Sequence, residues 1–142
     1  MKFDSKHIQS GILAGVIAGI VFGAMMGMMN MLPMVAKLFG SDNAVVGFIV
    51  HMFFSAIIGA IFGFVLGHQA LEKGRGILLG LVYGFIWWFL GPLIIMPVWL
   101  GMGVQLSAAG MKMALPSLWG HLVYGFILGL VYALTASKVK ET

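Results

Sequence analysis

Four uninterrupted apolar runs decide what this chain can become. They are Gly11–Leu32, Ala44–Gly67, Gly76–Pro97 and Leu118–Ala136, of 22, 24, 22 and 19 residues, and none holds an Asp, Glu, Lys or Arg. A bilayer core of ~30 Å needs about 20 helical residues at ~1.5 Å each, so every run is long enough to span it. Hydrocarbon offers no partner to an unbonded peptide group, so each spanning run must be a helix. Composition agrees: only 8% of the 142 residues are charged, and the mean hydropathy is +1.08. A soluble domain carries about 25% charged residues, and a chain this poor in polar side chains cannot clothe a water-exposed surface. The sequence therefore predicts an all-α membrane protein, with four transmembrane helices in a single integral domain over residues 1–142.

The first run follows Lys2 and Lys6, as the core of a signal peptide would. It is longer than the usual apolar core of about 7–15 residues, and no small-residue cleavage site follows, so it is expected to be retained. Orientation follows from the basic residues. Lys2, Lys6, Lys73, Arg75, Lys138 and Lys140 lie on one side of the four runs, and Lys37 and Lys112 on the other. That bias predicts a multi-pass protein of the cytoplasmic (inner) membrane with both termini in the cytoplasm. The outer side then carries the loop Met34–Asn43 and the segment Val98–Pro116. The latter is too broken for a fifth span and is expected to form an interfacial or re-entrant piece before the fourth helix.

The chain reads as an internal duplication. Gly11-Ile-Leu-Ala-Gly-Val-Ile-Ala-Gly19 matches Gly76-Ile-Leu-Leu-Gly-Leu-Val-Tyr-Gly84, with all three glycines shared. His51-Met-Phe-Phe-Ser-Ala-Ile-Ile-Gly59 matches His121-Leu-Val-Tyr-Gly-Phe-Ile-Leu-Gly129, with His, Ile and the last Gly shared. Each half, about 8–68 and about 74–137, is then one helical hairpin entering the membrane the same way. Such a parallel repeat has its pseudo-two-fold axis along the membrane normal.

Small residues recur every four positions: Gly11, Gly15, Gly19, Gly23 and Gly27 in the first run, and Gly47, Ser55, Gly59, Gly63 and Gly67 in the second. Gly76, Gly80 and Gly84 follow in the third, and Ser117, Gly125, Gly129, Ala133 and Ser137 at the fourth. This spacing lets membrane helices approach closely, and exposed stripes of it also suit a homo-oligomer or a larger complex. His51 fills the gap between Gly47 and Ser55, and His121 the gap between Ser117 and Gly125. Both imidazoles are therefore expected on helix–helix faces in the outer half, facing each other or one shared central space.

Three readings of this histidine pair are open. Each ring can hydrogen-bond a neighbouring helix, a purely structural or assembly role. The pair can ligate a cofactor, with haem or another tetrapyrrole as the candidate. It can also serve a metal site or a proton or ion path, as in a small channel or carrier. Methionine bears on the metal reading. Soft thioethers with imidazole suit Cu(I), and Met25, Met28 and Met29 are the set most able to converge with His51 and His121. Against it, methionine is a common space-filler, and the run from Met25 to Met31 faces all sides of its helix. Asn30 is the one amide inside a run and is expected to pair across helices. Pro33 should end the first helix, while Pro92 and Pro97 should kink or end the third.

Other classes are disfavoured. There is no cysteine, hence no disulfide framework and no thiol nucleophile. The net charge of +4 is dispersed and makes no nucleic-acid footprint, so the lipid bilayer is the expected partner. No carboxylate lies inside a run and no phosphate-binding loop occurs, so an enzyme is not expected.

The stretches Met-Met-Gly-Met-Met-Asn-Met-Leu-Pro (25–33), Trp-Phe-Leu-Gly-Pro-Leu-Ile-Ile-Met-Pro (88–97) and Gly-His-Leu-Val-Tyr-Gly (120–125) together resemble uncharacterised small four-span bacterial inner-membrane proteins. The resemblance covers most of the chain. It implies a prokaryotic inner membrane and carries no activity with it.

Overall fold

The computed structural model describes residues 4–136. Lys2, Ser137, Lys138 and Lys140 therefore lie outside the described residues. The elements are α1 (Ser5–Met28), α2 (Leu32–Ala36), α3 (Ala44–Leu66), α4 (Lys73–Leu90), α5 (Met96–Trp99) and α6 (Ala108–Ala136). Among the described residues four rods are long and apolar enough to cross a membrane: α1, α3, the stretch Lys73–Trp99 and α6. This is the architecture of a multi-pass all-α membrane protein.

Local chemistry sets the ends of the rods. Asp4 caps α1 by accepting the Lys6 N–H at 3.0 Å, and Asn43 caps α3 by accepting the Val45 N–H at 2.8 Å. Asn30 stands just past α1 in the left-handed region, at φ 55, and Pro33 opens α2. Asn30 thus terminates a helix and is exposed; it does not pair across helices. Between α4 and α5 the backbone widens into a π-helical turn, Gly91–Ile95, which carries Pro92. Pro97 cannot donate to the Leu93 carbonyl, and the Gln105 N–H does so instead at 2.8 Å. The prolines are absorbed and the rod continues to Trp99.

The segment expected as a separate interfacial or re-entrant piece divides instead. Gly101 and Gly103, at φ 75 and 73, turn the chain after α5, and from Ala108 onward the residues already belong to α6. Pro116 lies inside that helix. Lys112, whose carbonyl loses its helical donor, is exposed, so the missing bond is not sealed in the interior.

α1 packs on α3, α4 packs on α6, and α1 also packs on α6, which joins the two hairpins. Glycine governs the first two contacts. A Cβ on Gly15 would stand 2.5 Å from the Ser55 carbonyl oxygen, and one on Gly80 would strike the Gly125 carbonyl. Backbone meets backbone there, with no room for a side chain. The partners correspond under the sequence alignment of the halves. Gly11 faces Gly59 and Gly63, as Gly76 faces Gly129 and Ala133; Gly15 faces Ser55 and Gly59, as Gly80 faces Gly125 and Gly129. Gly19, Gly23 and Gly84 are buried in the same stripes. Gly27 is exposed and meets nothing closer than 3.6 Å, so the α1 stripe ends before it.

The end of the bundle near the termini is solid. Phe62, Leu128 and Tyr132 are fully buried, and Phe62 stacks edge-on with Tyr83 and Tyr132 at 5.2 and 5.4 Å. The Tyr83 hydroxyl donates to the Ile58 carbonyl at 2.6 Å and ties α4 to α3. The outward faces are apolar: Ile49, Phe53, Leu78 and Val82 are all exposed, as lipid contact requires.

The glycine contacts give a direct test. Gly15→Val should lower stability by more than about 2 kcal/mol, because the new methyls meet a carbonyl that cannot move aside. Gly27→Ala should change it by less than about 0.5 kcal/mol. Unfolding of the detergent-solubilised protein followed by circular dichroism reads both.

Candidate binding cavity

The other half of the bundle, where α1 turns into α2, is hollow. A cavity of about 450 Å³ opens between the helices at this end. Tyr83 ties α4 to α3 through the Ile58 carbonyl, and the third rod runs on past this bond through the π turn and α5. Phe22 and Met26 of α1, His51 and Ser55 of α3, and His121 and Tyr124 of α6 line its depth. Trp87, Pro92 and Met96 of the third rod, and Met102 and Gln105 of the turn before α6, line it as well. No Asp, Glu, Lys or Arg is among the lining residues.

The two histidines share this space but do not touch as a ring pair. Phe22 packs edge-on against both, with ring centroids 5.2 Å from His51 and 4.8 Å from His121. Gly120 makes this possible, because a side chain there would collide with the Phe22 ring. The Tyr124 hydroxyl donates to the Ser55 carbonyl at 2.7 Å and pins α6 to α3 below the rings.

Each imidazole spends one nitrogen on a backbone carbonyl. His51 Nε2–H donates across the helix pair to the Gly19 oxygen at 2.9 Å, with Ser55 Oγ at 3.4 Å from the same nitrogen. His121 Nδ1–H donates to the Ser117 oxygen of its own helix at 2.7 Å. A carbonyl can only accept, so these bonds fix the tautomers: Nε2–H for His51 and Nδ1–H for His121. The opposite nitrogen of each neutral ring carries a lone pair and has no hydrogen bond to any described residue. Among the described residues no buried side-chain nitrogen or oxygen lacks a partner, so neither lone pair is sealed in.

The other expected site residues separate. Met25, Met28 and Met29 are not in the cavity wall, and Met28 is 81% exposed. The thioethers that do line it belong to Met26, Met31, Met34, Met96, Met102 and Met113. No group of three or more His, Asp or Glu able to hold a metal ion occurs among the described residues. A tetrapyrrole held between the two imidazoles would have to displace Phe22, which is in contact with both. Phe22 and Tyr124 were not singled out by the sequence. Phe22 and Met26 lie one turn apart on α1, a spacing that core packing produces just as readily.

Fold and cavity together define a multi-pass membrane protein with an apolar chamber in one half. Comparison with known protein families, curated proteins and solved structures finds no match.

The hydrogen bonds make a graded prediction. His51→Leu should destabilise the protein by about 1 kcal/mol, since it removes a bond between two helices. His121→Leu should cost less, because its bond stays within α6. Thermal unfolding of the two variants side by side measures the difference.

Proposed function

We propose that this protein is a non-enzymatic binding protein of the cytoplasmic membrane, which holds a small uncharged apolar molecule in the chamber. The observation that carries the reading is the chamber itself. Its volume of about 450 Å³ falls in the range of small-molecule sites, and its wall has their composition, apolar and aromatic with a few polar atoms. An ion would leave water for a wall without a formal charge, which makes a neutral occupant the better fit. His51 and His121 are the polar contacts of the site. The matched glycine contacts of the two hairpins support descent from a duplicated hairpin, with the chamber where the halves meet.

Orientation belongs to the same proposal. Six basic residues lie on the termini side and two on the other, which puts the termini in the cytoplasm and the chamber in the outer half. The absence of cysteine makes this simple to check. Gly74 and Ala109 are exposed at opposite ends. In intact cells a membrane-impermeant maleimide should label Ala109→Cys, and should label Gly74→Cys only after permeabilisation. The reverse pattern overturns the orientation.

Occupancy is tested by native mass spectrometry of protein taken directly from its own membrane. A retained small molecule is expected on the wild type and not on Gly91→Trp. Gly91 lines the chamber and has nothing within 4 Å of the place a Cβ would take, so the indole fills space without a backbone collision. Equal adducts on both proteins would sink the reading.

A further inference from the structure

Three sides of the bundle are closed by packed helices: α1 on α3, α1 on α6 and α4 on α6. The fourth side, between α3 and the third rod (Lys73–Trp99), is not a packed pair. Side chains join it. Tyr83 bonds the Ile58 carbonyl and stacks on Phe62, and the Phe54 and Trp99 rings meet edge-on at 6.3 Å.

Along this seam the wall of the chamber is also the surface of the protein. Phe54 and Ile58 of α3 and Trp87, Gly91, Ile95 and Trp99 of the third rod line the chamber, and none of the six is buried. Ile95 and Trp99 are 43% and 51% exposed. A Cβ on Gly91 would meet nothing within 4 Å, which marks open space there. Lining residues on the packed sides differ: Phe22, Met26, Ser117 and Tyr124 are all buried.

Depth decides what meets this opening. Phe54 and Ile58 stand 10 and 14 residues beyond Ala44 in a helix of 23. That is about 15 and 21 Å along it, close to the middle of a ~30 Å hydrocarbon core. Lipid chains reach that depth, whereas headgroups and water stay at the interface. Other exposed lining residues, Asn30, Met34 and Met102, lie in α2 and in the turns after α1 and α5, at the ends of the rods.

Resting on the reading of the chamber as a binding site, we propose that its guest is the hydrocarbon chain of a membrane lipid. The chain enters sideways between α3 and the third rod, while the headgroup stays at the interface. The part that enters is apolar and uncharged, as a wall without Asp, Glu, Lys or Arg requires. A chain that leaves lipid for the chamber gains no hydrophobic energy, so packing contacts decide its occupancy. The lining methionines are unbranched and adaptable, and they suit a guest of no fixed shape.

Two photoreactive phosphatidylcholines test this with the full-length protein in lipid nanodiscs. One carries a diazirine at the methyl end of a chain, the other carries it beside the glycerol ester. After irradiation, peptide mass spectrometry maps the adducts. The chain-end probe should mark the buried Phe22, Met26 and Tyr124 as well as the exposed Phe53 and Leu78. The ester-side probe should leave the three buried residues unmarked. Gly91→Trp, first shown to be folded by circular dichroism, should lose the three buried adducts and keep those on Phe53 and Leu78. Equal marking of the buried residues by both probes, or buried adducts that persist in folded Gly91→Trp, overturns sideways entry of the chain. Chain-end adducts confined to exposed residues overturn the lipid chain as guest. The chamber then stands as a binding site if native mass spectrometry finds another molecule that Gly91→Trp lacks; with no such molecule, both readings fall.

Discussion

Contact between backbones at glycine is the interaction on which the rest of this structure depends. Lipid tails are as apolar as the helices, so no hydrophobic force drives the rods together; close packing has to do it. Gly15 against Ser55 and Gly59, and Gly80 against Gly125 and Gly129, bring each hairpin to a separation that no larger residue permits. Those contacts fix the long axes of both hairpins. They leave the space between the hairpins to be filled by side chains, and the two ends of the bundle fill it differently. At the end near the termini, Phe62, Tyr83, Leu128 and Tyr132 occupy it fully. At the opposite end Phe22 alone reaches across to both histidines, and the rest stays open.

The hollow half needs its own explanation, because membrane helices without a reason to separate pack against one another. Two features hold the wall apart. The π turn at Gly91–Ile95 adds width where Pro92 and Pro97 have removed backbone donors, and the Gln105–Leu93 bond anchors the following turn to it. Wide turns of this kind are frequent at functional sites. On the other side, Tyr124 is fastened to the Ser55 carbonyl and cannot swing into the space. The chamber is thus framed by committed hydrogen bonds.

Much of this was legible in the residues. Charge placement located the four spans, and the period-four glycines marked the hairpin contacts, because a residue with no side chain is informative wherever helices touch. The shared positions of His51 and His121 within those stripes put both imidazoles at one central space. The sequence was less informative where packing depends on rotation or on helix ends. Six of the seven positions from Met25 to Met31 are Met or Asn, so composition could not tell which side of the helix faces inward. Met26 faces the chamber while Met28 faces out. Gly120 lies outside the stripe of its helix, so nothing marked it as the notch that admits Phe22. The first turns of α6 looked like loop because glycine, proline and polar residues cluster there; residues 108–117 are nonetheless helical from their first turn.

The central claim is that the two imidazoles of the chamber are held in opposite tautomers by their bonds to backbone carbonyls. Nitrogen-15 NMR of histidine-labelled protein in lipid reads this directly, with His51→Leu and His121→Leu assigning the signals. The account predicts a protonated Nε2 and bare Nδ1 on His51, and a protonated Nδ1 and bare Nε2 on His121. Two rings in the same tautomer, or either ring protonated on both nitrogens at neutral pH, would contradict it.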